Sequence, residues 1–109
     1  MATRSLQLAA GRTTDASNKV VYTVPSGDTV IFKSAFLFSR AAAPQTVSVH
    51  VFGVAGGLDL PVVWYSLSPN SATSIETWVV LRPGDQLVVN GGGAGVDWIL
   101  SGAQLPGVV

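Results

Sequence analysis

Residues 28–39 read DTVIFKSAFLFS, the longest strand-like run in the chain. Side chains alternate between the two faces of a strand. Strict alternation puts Val30, Phe32, Phe36 and Phe38 on one face, and Ile31, Ala35 and Leu37 on the other with Lys33. Both faces are largely apolar, which predicts a central strand with a covered back. Upstream, KVVYTV (19–24) ends at Pro25-Ser26-Gly27-Asp28. Proline presets φ and glycine supplies φ > 0, so a tight turn joins the two strands.

The same punctuation continues downstream. After the loop RAAAP, QTVSVHVF (45–52) alternates cleanly, with Val47, Val49 and Val51 inward and Thr46, Ser48 and His50 outward. DLPVVWYSLS (59–68) carries Pro61, which predicts an edge strand or a bulge. TSIETWVVL (73–81), a second Pro-Gly-Asp turn at 83–85, QLVVN (86–90) and VDWILSGAQL (96–105) follow. VPSGDTVIF and LRPGDQLVV echo each other in order, a weak internal similarity. Residues 4–9 alternate weakly, as a frayed terminus or as an arm that adds a strand to a neighbour. Helical periodicity is nearly absent.

Seven clear strands and one weak one, joined by mostly short links, predict an all-β fold. The expected architecture is a single antiparallel β-sandwich of jelly-roll type. Residues 1–18 form the arm and its loop, and 19–109 the sandwich domain. The expected core is Val20, Tyr22, Val24, Val30, Phe32, Phe36, Phe38, Val47, Val49, Val51, Ile75, Val79, Leu81, Leu87, Val89 and Leu100.

Composition narrows the function. The chain has 109 residues, enough for one domain with its own core, and no cysteine. Net charge is zero, and its six Lys and Arg are spread along the chain rather than clustered. Phosphate-backbone binding needs several cations on one surface, so no nucleic-acid partner is expected. The most apolar stretch, Val30 to Phe38, is too short and too interrupted to span a membrane, and the opening residues make a poor secretory signal. Charged residues are only 11% of the chain, against about 25% in ordinary domains. A free monomer usually keeps a charged exterior, whereas a subunit covered by neighbours need not.

Catalytic chemistry is not expected, and neither is a cofactor or a metal. His50 is the lone histidine, no G-x-S-x-G elbow accompanies it, and Thr46 and Ser48 on its face mark it as a surface residue. The aspartates are dispersed, without metal-ligand spacing. The run GGGAG (91–95) lacks a following Lys-Ser/Thr and precedes a strand, so it reads as a flexible hairpin loop. Glu76 has no partner carboxylate at a telling spacing. Trp64, Tyr65, Trp78 and Trp98 fill the core, a subunit interface or a sugar-stacking platform, and Trp64 and Trp98 are the candidate ligand aromatics.

The order KVVYTVPSGDTVIFKSAFLF, ETWVVLRPGDQLVV, VDWILSGAQL resembles a group of small virion-associated proteins of tailed bacteriophages. The resemblance is carried by Tyr22-Thr23-Val24-Pro25, Gly27, Thr29, Lys33-Ser34, Trp78 to Leu81, Pro83-Gly84-Asp85 and Ser101-Gly102-Ala103. It covers about residues 20 to 105 and implies a non-catalytic accessory subunit, decorating the capsid or built into the tail or its tip. Such a subunit, made in the host cytoplasm, resides in the virion. Its partners are copies of itself, for instance as a trimer, and major capsid or tail proteins. Candidate contact residues are Leu6 and Leu8 in the arm, Ile31 and Leu37 on the outer face of the long strand, and Leu105 and Val108 at the tail. A carbohydrate-binding adhesin module, with Trp64 or Trp98 beside Asp59, Asp97 or Asn90, is the alternative.

Overall fold

The computed structural model describes residues 4–53 and 58–106, with side chains at 7–53 and 59–105. Among these residues eight strands form: β1 (Arg4–Arg12), β2 (Lys19–Thr23), β3 (Asp28–Ser39), β4 (Gln45–Gly53), β5 (Leu58–Leu67), β6 (Ala72–Leu81), β7 (Gln86–Asn90) and β8 (Val96–Pro106). They pair antiparallel into two four-stranded sheets, β1-β8-β3-β6 and β2-β7-β4-β5. Only β4 and β5 are both consecutive in sequence and neighbours in one sheet. Every other link crosses between the layers, and this order is the jelly roll.

The two Pro-Gly-Asp turns carry the chain across at one end, β2 to β3 and β6 to β7. Both glycines hold positive φ, 86° at Gly27 and 88° at Gly84, which costs an L side chain and not glycine. The turns also bond to each other. Val24 N–H donates to the Asp85 carbonyl (2.9 Å), and Gly84 N–H donates to the Val24 carbonyl (3.0 Å). The sequence echo therefore marks two adjacent turns that clamp one end of the sandwich.

The arm expected over residues 1–18 is, from Arg4 onward, strand β1 of the first sheet, paired to β8. The loop after it is also tied down. Thr13 Oγ1 donates to the Gly93 carbonyl (2.7 Å) and accepts from Val96 N–H (3.0 Å). The glycine run 91–95, expected to be a flexible link, is thus held through Thr13.

The core follows the expected alternation except along β2 and β3. Opposite β8, β3 has an extra residue between Phe32 and Ser34. Two successive residues at a bulge share the width that one would occupy, so the faces swap. Val30 and Phe32 point inward before the bulge; Ala35, Leu37 and Ser39 do so after it. Leu37, expected as an outward contact residue, is fully buried in the core cluster. Phe36, expected in the core, is 43% exposed, and Phe38 lies with it on the outer face, half-buried. A register shift between Val20 and Tyr22 likewise turns Val20 outward while Tyr22 packs against the core. Val63, Leu67, Val88, Val96, Trp98 and Ala103 are buried as well.

The two faces of β3 predict opposite mutational costs. Leu37→Ala, which opens a cavity in the core, should lower stability by about 2–5 kcal/mol in denaturant unfolding. Phe36→Ala, measured at low protein concentration, should change it by no more than about 0.5 kcal/mol. Equal costs would mean that the bulge does not swap the faces.

Candidate interaction surface

The bulge has a direct consequence for the exterior. In an antiparallel ladder, opposite residues point to the same side. Outward along β3 come Ile31, Phe36 and Phe38, and the register sets each in a row. Ile31 lies opposite Val80 on β6 and Ala103 on β8. Phe36 lies opposite Ser74 and Ile99, and Ile99 in turn faces Ala10 on β1. Val80 (55%) and Trp78 (66%) stand exposed at the β6 side. The result is an apolar outer face across all four strands, bearing a shallow depression of about 460 Å³ floored by Ala10, Phe36, Phe38 and Ile99.

Charges stand at one corner of this face and in its middle row, where Lys33 and Ser34 on β3 lie beside Glu76 on β6. Arg40 stacks its guanidinium over the Phe38 ring, and Lys33 its ammonium over Trp78, each 5.2 Å from the ring centre. At the β1–β8 corner, Arg12 Nε donates to Asp97 Oδ1 (2.5 Å) and Arg40 Nε to Asp97 Oδ2 (2.8 Å). These hydrogen bonds, Arg12's first, lower the Asp97 pKa to about 2. The cluster is partly solvated and supplies geometry more than energy.

The outer face of the second sheet is different in kind. His50 on β4 bridges two partners: its Nε2 is 2.9 Å from Ser48 Oγ and its Nδ1 is 3.2 Å from Asp59 Oδ1. The order Asp-His-Ser is that of a hydrolytic triad. The setting is not. Ser48 is 5% exposed in the middle of β4, paired with both Trp64 on β5 and Asn90 on β7. Ser48 and His50 both lie in ladder pairs with β5 and β7, a setting that spends peptide N–H groups on the sheet rather than on a developing oxyanion. Trp64 stands 70% exposed, cross-strand from Ser48.

The expected site residues therefore separate. Ile31 lies on the apolar outer face, half-buried. Leu8 packs against the core. Leu105 is half-buried opposite Thr29. Leu37 is removed from the surface by the bulge. The Leu6 side chain and Val108 lie outside the described residues. Of the two candidate ligand aromatics only Trp64 is available. Trp98 is in the core, with its ring so close over Gly11 that a Cβ there would meet it at 2.9 Å. Trp78, one of the aromatics with a subunit interface among its expected roles, is on the outer face with Phe36, Phe38, Ile99 and Val80, which were not singled out as contact residues. The signal for them was the polar pair Lys33-Ser34, which breaks the alternation of an otherwise apolar strand.

No protein-family model matches the sequence. No curated protein matches it either. Solved structures do share its fold. The chain is similar to the NLP core of Drosophila, described for its pentamer formation and histone binding, at 12% identity and TM-score 0.57, over 96% of this chain and 99% of that one. It is also similar to a protein of Bacillus endospore appendages, which form disulfide-linked pili, at 15% identity and TM-score 0.58, over 96% of this chain and 87% of that one. At these identities the likeness establishes the fold.

The Asp97 cluster predicts a specific pH dependence. A carboxylate with a depressed folded pKa stabilises the fold above its unfolded pKa, about 3.9, and that contribution is lost as pH falls through the folded value. The difference in unfolding stability between the native chain and Asp97→Asn should stay constant near neutrality and shrink as pH drops from about 4 toward 2. A difference independent of pH across that window would show that the carboxylate charge is not what matters.

Proposed function

We propose that this chain is a non-enzymatic assembly subunit, an accessory protein of a tailed-phage virion that works by packing against copies of itself and other particle proteins. The observation that carries this reading is the outer face of the β1-β8-β3-β6 sheet, where Ile31, Phe36, Trp78, Val80 and Ile99 stand with no covering layer among the described residues. Large apolar side chains exposed together on one face mark interaction sites. A charged fraction of 11% points the same way. The resemblance of the strand and turn motifs supports the phage virion as the setting, with capsid decoration and a place in the tail as the two positions it allows.

Proteins of this fold elsewhere form a pentamer and pili. The pili are disulfide-linked, and this sequence has no cysteine. Association here would rest on apolar burial, worth about 25 cal/mol per Å² before association costs. In a repeating particle, weak contacts then multiply through effective concentration.

A second reading, a carbohydrate-binding adhesin module, is favoured by one observation: Trp64 is exposed beside the Ser48–His50–Asp59 hydrogen-bond chain. An aromatic plate next to fixed polar groups suits a sugar ring.

Sedimentation or light scattering of the purified chain should give a mass above the monomer. Phe36→Glu with Ile99→Glu should lower that mass without unfolding the chain. A native chain that stays monomeric at high concentration removes the assembly reading. Glycan binding that is lost with Trp64→Ala, at unchanged mass, would establish the second. For the non-enzymatic part, hydrolysis of simple fluorogenic esters should stay at the buffer rate. Turnover abolished by His50→Ala would overturn it.

A further inference from the structure

We propose that the free edge of β6 pairs with β6 of a second copy, antiparallel across a two-fold axis, joining two four-stranded sheets into one continuous sheet. This contact rests on the assembly reading above and names where self-association begins.

Each sheet of a sandwich has two edges, and each edge presents unpaired N–H and C=O groups to its surroundings. Natural proteins blunt such edges with proline, bulges or short strands. Three of the four edges here are blunted in these ways. Edge strand β5 has Pro61, and Val62 is an extra residue against β4, since Val49 pairs with Val63 and His50 with Pro61. Edge strand β2 is five residues long, with a register shift at Val21. Edge strand β1 breaks register between Gln7 and Ala9.

Edge strand β6 also has an extra residue against its neighbour, Thr77 and Trp78 standing opposite Lys33, but it has neither proline nor a short length. It runs ten residues, ATSIETWVVL, without proline. Exposed and half-buried positions alternate from Ala72 through Val80 without a break. The extra residue leaves that alternation intact, whereas the burial patterns of β1, β2 and β5 break at theirs. Thr, Ile, Trp and Val dominate it, the residues that fit a pleated surface. Glu76 is its single charge.

The occupant follows from the same comparison. A head-to-tail contact would need a different edge on the neighbour, and the other three lose their alternation, β5 with a proline and β2 with only five residues. The edge of matching length and regularity is β6 itself. A strand that pairs with its own copy antiparallel does so across a two-fold axis, and the contact closes on itself rather than propagating into a fibre. This makes the first contact two-fold, not the three-fold one that a trimer requires.

The side chains agree. Ala72, Ser74, Glu76, Trp78 and Val80 share the outer side. Pairing at β6 would therefore carry the apolar outer face of one copy directly onto the next. Trp78, already held by Lys33, stands at the seam. Like charges directly opposite each other destabilise a ladder, so registers that set Glu76 against Glu76 are disfavoured.

The absence of cysteine makes the test direct. Single-cysteine variants are made at Ala72, Ser74, Trp78 and Val80 on β6, at Ile99 in the middle of the outer face, and at Gln7 on β1. Each is oxidised mildly and its disulfide-linked dimer is quantified. A disulfide needs Cα atoms within about 7 Å. Directly opposite residues in an antiparallel ladder lie about 4.5–5.5 Å apart. One β6 position near the axis should therefore cross-link several-fold more than Ile99→Cys or Gln7→Cys. In the native chain, β6 amides should become protected from hydrogen exchange as concentration rises. Dominant cross-linking at Ile99→Cys, with oligomer mass intact and β6 amides unprotected, overturns edge pairing and leaves the assembly reading standing. Monomeric mass throughout removes both.

Discussion

The extra residue in β3 at Lys33-Ser34 is the constraint on which the exterior of this molecule depends. Before it, Val30 and Phe32 serve the core. After it the parity reverses, and Ala35, Leu37 and Ser39 take the inner positions. The inner positions after the bulge thus hold smaller side chains than Phe36 and Phe38 would have supplied. Those two rings go outward onto a sheet where Ile99, Ala10 and Val80 already stand. An unbulged β3 would have placed both rings in the core and Ala35 and Leu37 outside. The sandwich would then have had a bulkier interior and a less apolar outer face. The feature that shapes the core and the feature that makes the surface adhesive are one irregularity.

Closure of the two layers depends on a second device. Seven links join eight strands, and six of them change sheets. Such a path needs its crossings pinned, because a loose crossing lets one layer slide over the other. At one end the paired turns do this, with Val24 bonded to both Asp85 and Gly84. At the other, Thr13 ties the β1–β2 loop to the glycine run before β8 by three further contacts: its N–H to the Val96 carbonyl, its carbonyl from Gly95 N–H, and its hydroxyl to Gly93. With both ends fixed, the outer face of the first sheet is a rigid platform, which limits the entropy lost when it meets a partner.

Much of this was legible in the residues. Strand positions follow from punctuation: Pro25-Gly27-Asp28, Pro83-Gly84-Asp85 and the glycine run bound the strands closely, and Pro61 marks the bulge of an edge strand. The sandwich class followed from their count and spacing. Face assignment was legible wherever alternation holds, as in β4 and β6. Trp98 shares parity with Leu100, so its burial was also readable. What alternation cannot show is a bulge, because the pattern is a local parity and the bulge is defined by pairing with another strand. Phe36, Phe38 and Leu37 were misassigned for that reason, and Val20 by the same mechanism in β2. Likewise Ser48 and His50 share a face by spacing, but Asp59 reaches His50 only through the register of β4 with β5. Long-range register is set by the whole sheet, not by either segment alone.

The few charges deserve a physical account, because their placement completes the case for a covered exterior. Of the six acidic side chains, five are engaged in local structure. Asp15 accepts from Ser17, Asp28 accepts from Gln104, Asp59 meets His50, Asp85 accepts from the Arg82 N–H across its turn, and Asp97 holds Arg12 and Arg40. They act as turn locks and corner ties, at loops and strand ends. Lys33 and Arg40 lie down on aromatic rings rather than standing into solvent. Charge in this chain is spent on fixing geometry, and little is left to solvate the middle of a sheet. A surface kept in water by charge places that charge where the apolar area is greatest. On the outer face of the first sheet Ser34, Glu76 and Ser101 form one polar row between two others, and those two rows, Ile31 with Val80 and Phe36 with Ile99, carry no charge.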